Sequence, residues 1–388
     1  MPQQQPGSAT PPGMPPMGES QQGFKWFAYM RNHHPVLFEE QDGLWNVFRY
    51  DDVFQVITDH DTFSSENVPT FSSNIFLRDT IVSQDPPNHR RLRHLINQAF
   101  TKNAIARMTD RISQATQMRL DQLLPQGKME FITDMAFPLT TTLIALLLEI
   151  PEEDWHLVYR WVKGGTTDAP VQSYEEVIQI HNRIAQEMYD YCSRLLAQRR
   201  REPREGLITA LSHAENNEDR LSDDELLKCC VLLLVAGQET TQHMLTNTIY
   251  CLTTYPASLD QLIQQPALLP NTIEEVLRYL PPFWMTVRRT KVNTELAGQP
   301  IPANAIVLAW NASANRDRAY FSNPERFDIQ RNPNHHLSFG HGIHFCLGAP
   351  LARLEASIIL PLLLTQLKHM RRVPNTSINM GVGPIHKI

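Results

Sequence analysis

Apolar side chains recur at intervals of three and four along most of this chain, and the runs that keep this period are long. Val177, Ile180, Ile184, Met188, Tyr191 and Leu195 form one stripe, and Ile105, Met108, Ile112, Ala115 and Met118 another. Each is one face of an amphipathic helix. Ser222 followed by Glu225 is a capping-box start, and the helical pattern after it persists to Tyr255-Pro256. At 1.5 Å per residue, a helix of roughly 30 residues spans about 45 Å, enough to cross a domain. Residues 151–172, with Trp155, Trp161, Gly164, Gly165 and Pro170, read as a mobile connection between helices.

Strand signals are fewer. Between Pro35 and Arg49 two apolar-rich runs flank Asp42-Gly43, the chemistry of a hairpin turn. Glu295 to Pro302, around Ala297-Gly298, and Ile306 to Trp310 also read as strand. The class is therefore mainly α with small sheets (α+β). Phe24 to Met30 reads as a short amphipathic helix, and residues 1–22, holding six of the 28 prolines and no apolar period, as a disordered tail. One helix-rich domain then covers residues 23–388. Residues 64–84 lack a period yet carry Val68, Phe71, Ile75, Phe76 and Ile81, a pattern found in functional loops. Asp85-Pro86-Pro87 is read as the cap of the next helix, on which His89 and Arg93 share a face at i, i+4. That pair suits a carboxylate or phosphate and equally a solvated basic face.

Composition narrows the function classes. A net charge of −6 and no overall basic field argue against nucleic acid as the main partner. Five cysteines form an odd set, four of them (Cys192, Cys229, Cys230 and Cys251) within apolar helical stretches. They read as reduced, buried thiols of a cytoplasmic protein. No lysine or arginine precedes Lys25, so a charged signal-peptide start is not expected. The apolar runs at Thr142–Leu148 and Val231–Gly237 are far shorter than the roughly 18 residues of a membrane anchor.

Candidate chemistry concentrates in two stretches. Phe339 to Glu355 places Cys346 among Gly340, Gly342 and Gly348, just before Pro350 and a helical run. Free N–H groups at a helix start favour an anion, so a thiolate is expected there. A zinc cluster of His335, His336, His341, His344 and Cys346 is the competing reading, and it lacks the paired ligand spacing of such sites. The second stretch is Ala236-Gly237-Gln238-Glu239-Thr240-Thr241, inside the long helix. A mid-helix glycine costs about 1 kcal/mol relative to alanine, and a threonine can bond back to a carbonyl and bend the helix. Helix packing explains Gly237 alone; an acid and an alcohol beside it in an apolar helix call for another role.

The spacing Phe339-x-x-Gly342-x-His344-x-Cys346-x-Gly348 resembles the haem-binding loop of the cytochrome P450 superfamily, and Ala-Gly-x-Glu-Thr-Thr resembles its oxygen-binding groove. Glu275-x-x-Arg278 with Pro324-Glu325-Arg326-Phe327, and Ala314-Asn315-Arg316-Asp317, match further family signatures from about His89 to Glu355. The resemblance implies a soluble, bacterial-type monooxygenase holding haem b, with Cys346 as axial ligand and Phe339, Gly340, Gly348, Ala236 and Gly237 against the cofactor. It implies that His89, Arg93, Arg288 (chosen over adjacent Arg289) and His344 hold the propionates, and that Glu239 and Thr240 deliver protons to bound O2. Both Arg278 and Arg326 would hold Glu275, bracing the cysteine loop. Electrons would come from NAD(P)H through a reductase and a ferredoxin or flavodoxin, since no nucleotide fingerprint is present. A peroxygenase or haem-based sensor is the alternative, disfavoured by Glu239-Thr240. Val68, Phe71, Ile75, Phe76, Leu233, Gly237, Phe283, Trp284 and Met285 suggest a hydrophobic substrate such as a fatty acid, terpenoid, steroid or polyketide, free or carrier-bound.

Overall fold

The computed structural model describes residues 20–68, 78–165, 174–216, 219–366 and 371–373. Helix α1 (Ser20–His33) is longer than the Phe24–Met30 expectation, and its buried Phe24, Phe27 and Met30 anchor an aromatic core. The predicted hairpin follows as β1 (Val36–Glu39) and β2 (Leu44–Val47), turning through Gly43 at φ 67°, where a side chain would be strained. Helix α2 (Tyr50–Thr58) and the short strand β3 (Phe63–Ser64) complete this part.

Helix α3 (Asn88–Ala99) carries His89 and Arg93, but Asp85 does not cap it with its side chain. That carboxylate instead accepts the Ser65 N–H at 3.0 Å and pairs with Lys291 at 2.8 Å. The stripe predicted from Ile105 to Met118 is broken. Helix α4 (Lys102–Ala106) ends before α5 (Thr109–Leu123) begins, and Met118 is 64% exposed, so the three-and-four spacing there joined two helices and one surface residue. Helix α6 (Phe137–Leu147) starts with a proline in its first turn. The expected mobile connection contains helix α7 (Trp155–Gly165), whose Trp161 is buried against Tyr191. The indole of Trp161 packed on Tyr191 outweighs the paired glycines at the helix end.

Helix α8 (Tyr174–Arg201) and helix α9 (Leu207–Ser212) lead to the hairpin β4 (Glu215–Asn216) and β5 (Asp219–Arg220). The longest helix, α10 (Asp223–Thr254), opens on the predicted capping box, with both Ser222 and Glu225 bonds formed. Pro256 starts α11 (Pro256–Gln264), and α12 (Leu269–Tyr279) follows with Glu275 and Arg278 buried. Strands β6 (Thr286–Thr290), β7 (Thr294–Leu296), β8 (Gln299–Ile301) and β9 (Ile306–Ala309) come next. The five-stranded sheet has the order β1-β2-β9-β6-β3, with only β2 and β9 parallel, and β7-β8 is a separate hairpin. A short helix α13 (Asn311–Ala314) and the long α14 (Ala349–Gln366) finish the regular structure of the described residues.

Helices therefore carry most of the core. Buried faces of α3, α6, α8 and α10 form one apolar cluster, and those of α5, α6, α10, α12 and α14 another. Helix α10 takes part in both, which explains why buried residues occur on most of its circumference. Among the described residues, no helix is long and apolar enough to cross a membrane. The other four cysteines are buried and unpaired, and burial pushes the Cys192 and Cys229 thiols up to about 12, so they are inert packing residues.

Candidate functional site

Cys346 ends a tight loop that α14 continues. Its N–H donates to the Phe339 carbonyl at 2.9 Å, closing the loop across Gly340 and Gly342, which stand at φ 67° and 68°. Gly342 has a second reason to lack a side chain, because a Cβ there would lie 3.3 Å from the Thr58 backbone of α2. At Gly348 a Cβ would sit 3.9 Å from the Cys346 sulfur. The sulfur receives the Gly348 and Ala349 N–H groups at the helix start, as expected, yet burial outweighs them and raises the thiol above its ordinary value. The helix terminus alone thus does not make the thiolate; a cation bound to sulfur would.

Around this loop four basic side chains gather. His89 and His344 rings lie 4.2 Å apart, and His344 Nε2 is 3.0 Å from the Ser65 hydroxyl. Burial, then Arg93, lowers His89 to about 4; burial, then Arg288, lowers His344 to about 3. Arg288 is buried on β6 and lowered to about 10 by desolvation, and burial also lowers Arg93. The next residue, Arg289, turns to the opposite face, towards the Glu66 carbonyl and Asn304. His89 Nε2 is buried with no hydrogen-bond partner among the described residues. Four cation-forming groups, the two arginines lowered by burial and the two histidines by burial and by those arginines, one with an orphaned nitrogen, make a receptacle for a doubly anionic ligand. Among the described residues no three His, Cys, Asp or Glu side chains converge as a metal-ligand set, so the histidine-rich zinc cluster does not form.

On α10, Leu233, Ala236, Gly237 and Thr240 share the face that remains accessible, while Leu234, Gln238, Thr241 and Leu245 are buried. Thr240 bonds back to the Ala236 carbonyl at 2.8 Å, as its position in the helix predicts. With its hydrogen engaged, the hydroxyl offers lone pairs to whatever lies beside the helix. Glu239, one residue earlier, is part-buried. Gly237 is a packing residue as well: a Cβ there would meet Ile144 Cδ1 of α6 at 2.9 Å.

Other expected residues fall elsewhere. Arg326 is exposed and contributes only its backbone carbonyl. Buried Glu275 is held by Arg278 through two bonds of 2.8 Å, by Arg331 at 3.0 Å, by the Asp328 N–H at 2.8 Å and by Asn334 at 3.2 Å. The second arginine is thus Arg331, 56 positions beyond the glutamate, and no spacing rule could have pointed to it. Trp284 and Met285 belong to the aromatic core, Trp284 fully buried against Phe24 and Phe27, while the adjacent Phe283 is 38% exposed. Val68 is half-buried; Phe71, Ile75 and Phe76 lie outside the described residues.

The family model for cytochrome P450 matches residues 165–382. A putative cytochrome P450, YjiB, of Bacillus subtilis (strain 168) is 36% identical over 362 residues, 92% of this chain and 91% of that protein. The cyclomarin C epoxidase CymV of Salinispora arenicola is 35% identical over 347 residues, covering 87% of this chain and 86% of its own length. Among solved structures, CYP109E1 of Bacillus megaterium in complex with testosterone superposes with a TM-score of 0.86 at 34% identity, covering 94% of this chain and 96% of that one.

Proposed function

Since the chain belongs to the cytochrome P450 family and is a monooxygenase of that family, we propose that it oxidises a hydrophobic small molecule of steroid, terpenoid, fatty-acid or polyketide type, by hydroxylation or epoxidation. The observation that carries the site assignment is the set of four basic groups with the orphaned His89 Nε2 beside Cys346. The cofactor of this reading is haem b. Its two propionates match the two histidines and two arginines, and its iron is the cation that Cys346 sulfur needs. When bound, haem supplies the activation of O2 that lets one oxygen atom enter the substrate.

The chain's own residues then have separable tasks. Cys346 would hold the iron through its sulfur, which accepts the Gly348 and Ala349 N–H groups, while its backbone N–H is fixed on the Phe339 carbonyl. Thr240, its hydrogen given to Ala236, is left to accept a hydrogen bond from a water and so orders the proton path. Glu239 is the acid that refills that path from solvent. Leu233 and Ala236 present an apolar wall to the substrate, with Phe283 as a further contact. Support for the substrate class comes from the relatives: one is named as an epoxidase of cyclomarin C, another is solved with a steroid. Electrons reach the chain from a separate donor, a ferredoxin or flavodoxin served by an NAD(P)H-dependent reductase, in the cytoplasm.

Thr240→Ala tests the proton-path assignment. Helix α10 tolerates alanine, so haem and substrate binding should persist, whereas product formed per NAD(P)H consumed should fall and hydrogen peroxide should rise in its place. Unchanged coupling would remove Thr240 from the path.

A further inference from the structure

Helix α12 carries two adjacent glutamates, and Glu274 turns away from the network that holds Glu275. It reaches Arg353 of α14 through two parallel bonds, Nε to Oε1 at 2.6 Å and Nη2 to Oε2 at 2.8 Å. His336 Nε2 adds a third at 3.0 Å. Because His336 Nδ1 accepts the Ser338 N–H at 3.2 Å, the ring proton of the neutral histidine belongs on Nε2, where it donates to Glu274. Ser338 is itself pinned, donating to the Leu277 carbonyl of α12 at 2.7 Å and accepting from Asn315 at 2.9 Å.

These bonds converge on the cysteine loop. The Arg353 guanidinium lies 4.5 Å from the centre of the Phe339 ring, and the Phe339 carbonyl is the acceptor for Cys346 N–H. Glu274, His336, Phe339 and Arg353 form one wall of a 360 Å³ surface cleft that also touches Phe345, the neighbour of Cys346. Burial raises the Glu274 carboxyl, but Arg353 and His336 outweigh it and hold the group at about 2. Arg353 also acts electrostatically on Cys346 itself. A bidentate pair this well formed keeps its geometry, so the charge that Cys346 experiences from this side is the small remainder of a cation and an anion.

Resting on the reading of Cys346 as the haem-iron ligand, we propose that Glu274 and Arg353 are positioning residues that set the donor strength of the Cys346 thiolate. Arg353 supplies a positive charge behind the loop, and Glu274 cancels most of it. Removing either partner should therefore move the iron in opposite directions. With Glu274 neutralised, the uncompensated guanidinium withdraws density from sulfur and favours the reduced iron; with Arg353 removed, the bare carboxylate favours the oxidised iron.

The experiment is a mediated spectroelectrochemical titration of the haem-loaded protein, without an electron-transfer partner, for the native chain, Glu274→Gln, Arg353→Met and the double variant. A tenfold change in the oxidised-to-reduced ratio, about 59 mV for one electron, is expected upward for Glu274→Gln and downward for Arg353→Met. The double variant should return close to the native midpoint. A purely structural clamp would loosen the loop in both single variants and shift both the same way, or neither; either result overturns the proposal. If a single variant does not take up haem, Glu274→Asp and Arg353→Lys replace it: they keep both charges and disturb the fork, so an unmoved midpoint supports the charge role and a shifted one refutes it. Absence of a red-shifted carbon monoxide Soret band in the native protein would instead refute the thiolate assignment on which the proposal rests.

Discussion

Arg331→Met and Arg326→Met form a contrast whose size follows from the contacts. Arg331 gives Glu275 a bond of 3.0 Å, with side-chain exposures of 7% and 0%, and it also reaches the Ser322 carbonyl at 2.9 Å. A charged hydrogen bond contributes about 1.5–3 kcal/mol. Glu275 keeps Arg278, the Asp328 N–H and Asn334, so its charge is not stranded and the loss stays below the roughly 3–5 kcal/mol of a broken buried pair. Arg331→Met should accordingly cost about 2–3 kcal/mol. Arg326→Met removes an exposed side chain and leaves intact the carbonyl that Arg278 uses, so its effect should lie within about 0.5 kcal/mol. Urea unfolding of the haem-loaded protein, followed by far-UV dichroism, measures both. Equal losses in the two variants, or a larger one for Arg326, would refute the network as described.

Gly237→Val should destabilise by about 1–3 kcal/mol through overpacking on Ile144 while still admitting carbon monoxide to the iron, and Ile144→Val in the same chain should recover part of the loss. A variant of native stability that no longer binds the gas would show that the glycine exists for ligand access alone. Glu355→Gln should flatten the pH dependence of stability. Burial raises the Glu355 carboxyl to about 8 from 4.5, a rise that Thr241 only partly offsets, so the folded chain keeps a proton that the unfolded chain releases across this window. Stability is then fullest below 4.5 and declines as pH rises through 8, by on the order of 5 kcal/mol. Parallel urea midpoints for native and variant protein between these limits would contradict it.

The elements that sequence revealed were those whose signals are local. Ser222 and Glu225 cap α10 because their bonds span three residues, Asp42-Gly43 turns its hairpin for the same reason, and Thr240 bonds to a carbonyl four residues back. What stayed hidden depends on partners far along the chain. Arg331 serves Glu275 from a loop, while the nearer family motif drew attention to exposed Arg326. Trp284 and Phe283 are neighbours in one apolar run, yet only the docking of α1 decides that the indole is core and the phenyl is not. Cys346 likewise stood out by its glycines, but the balance between helix N–H groups and burial at its sulfur requires the packed loop.

Cys346→Ser tests the central assignment most directly. A neutral hydroxyl is a poor donor to iron, so the reduced variant under carbon monoxide should lose the red-shifted Soret band that a thiolate ligand gives, while the native protein shows it. A variant that retained that band would exclude Cys346 as the axial ligand.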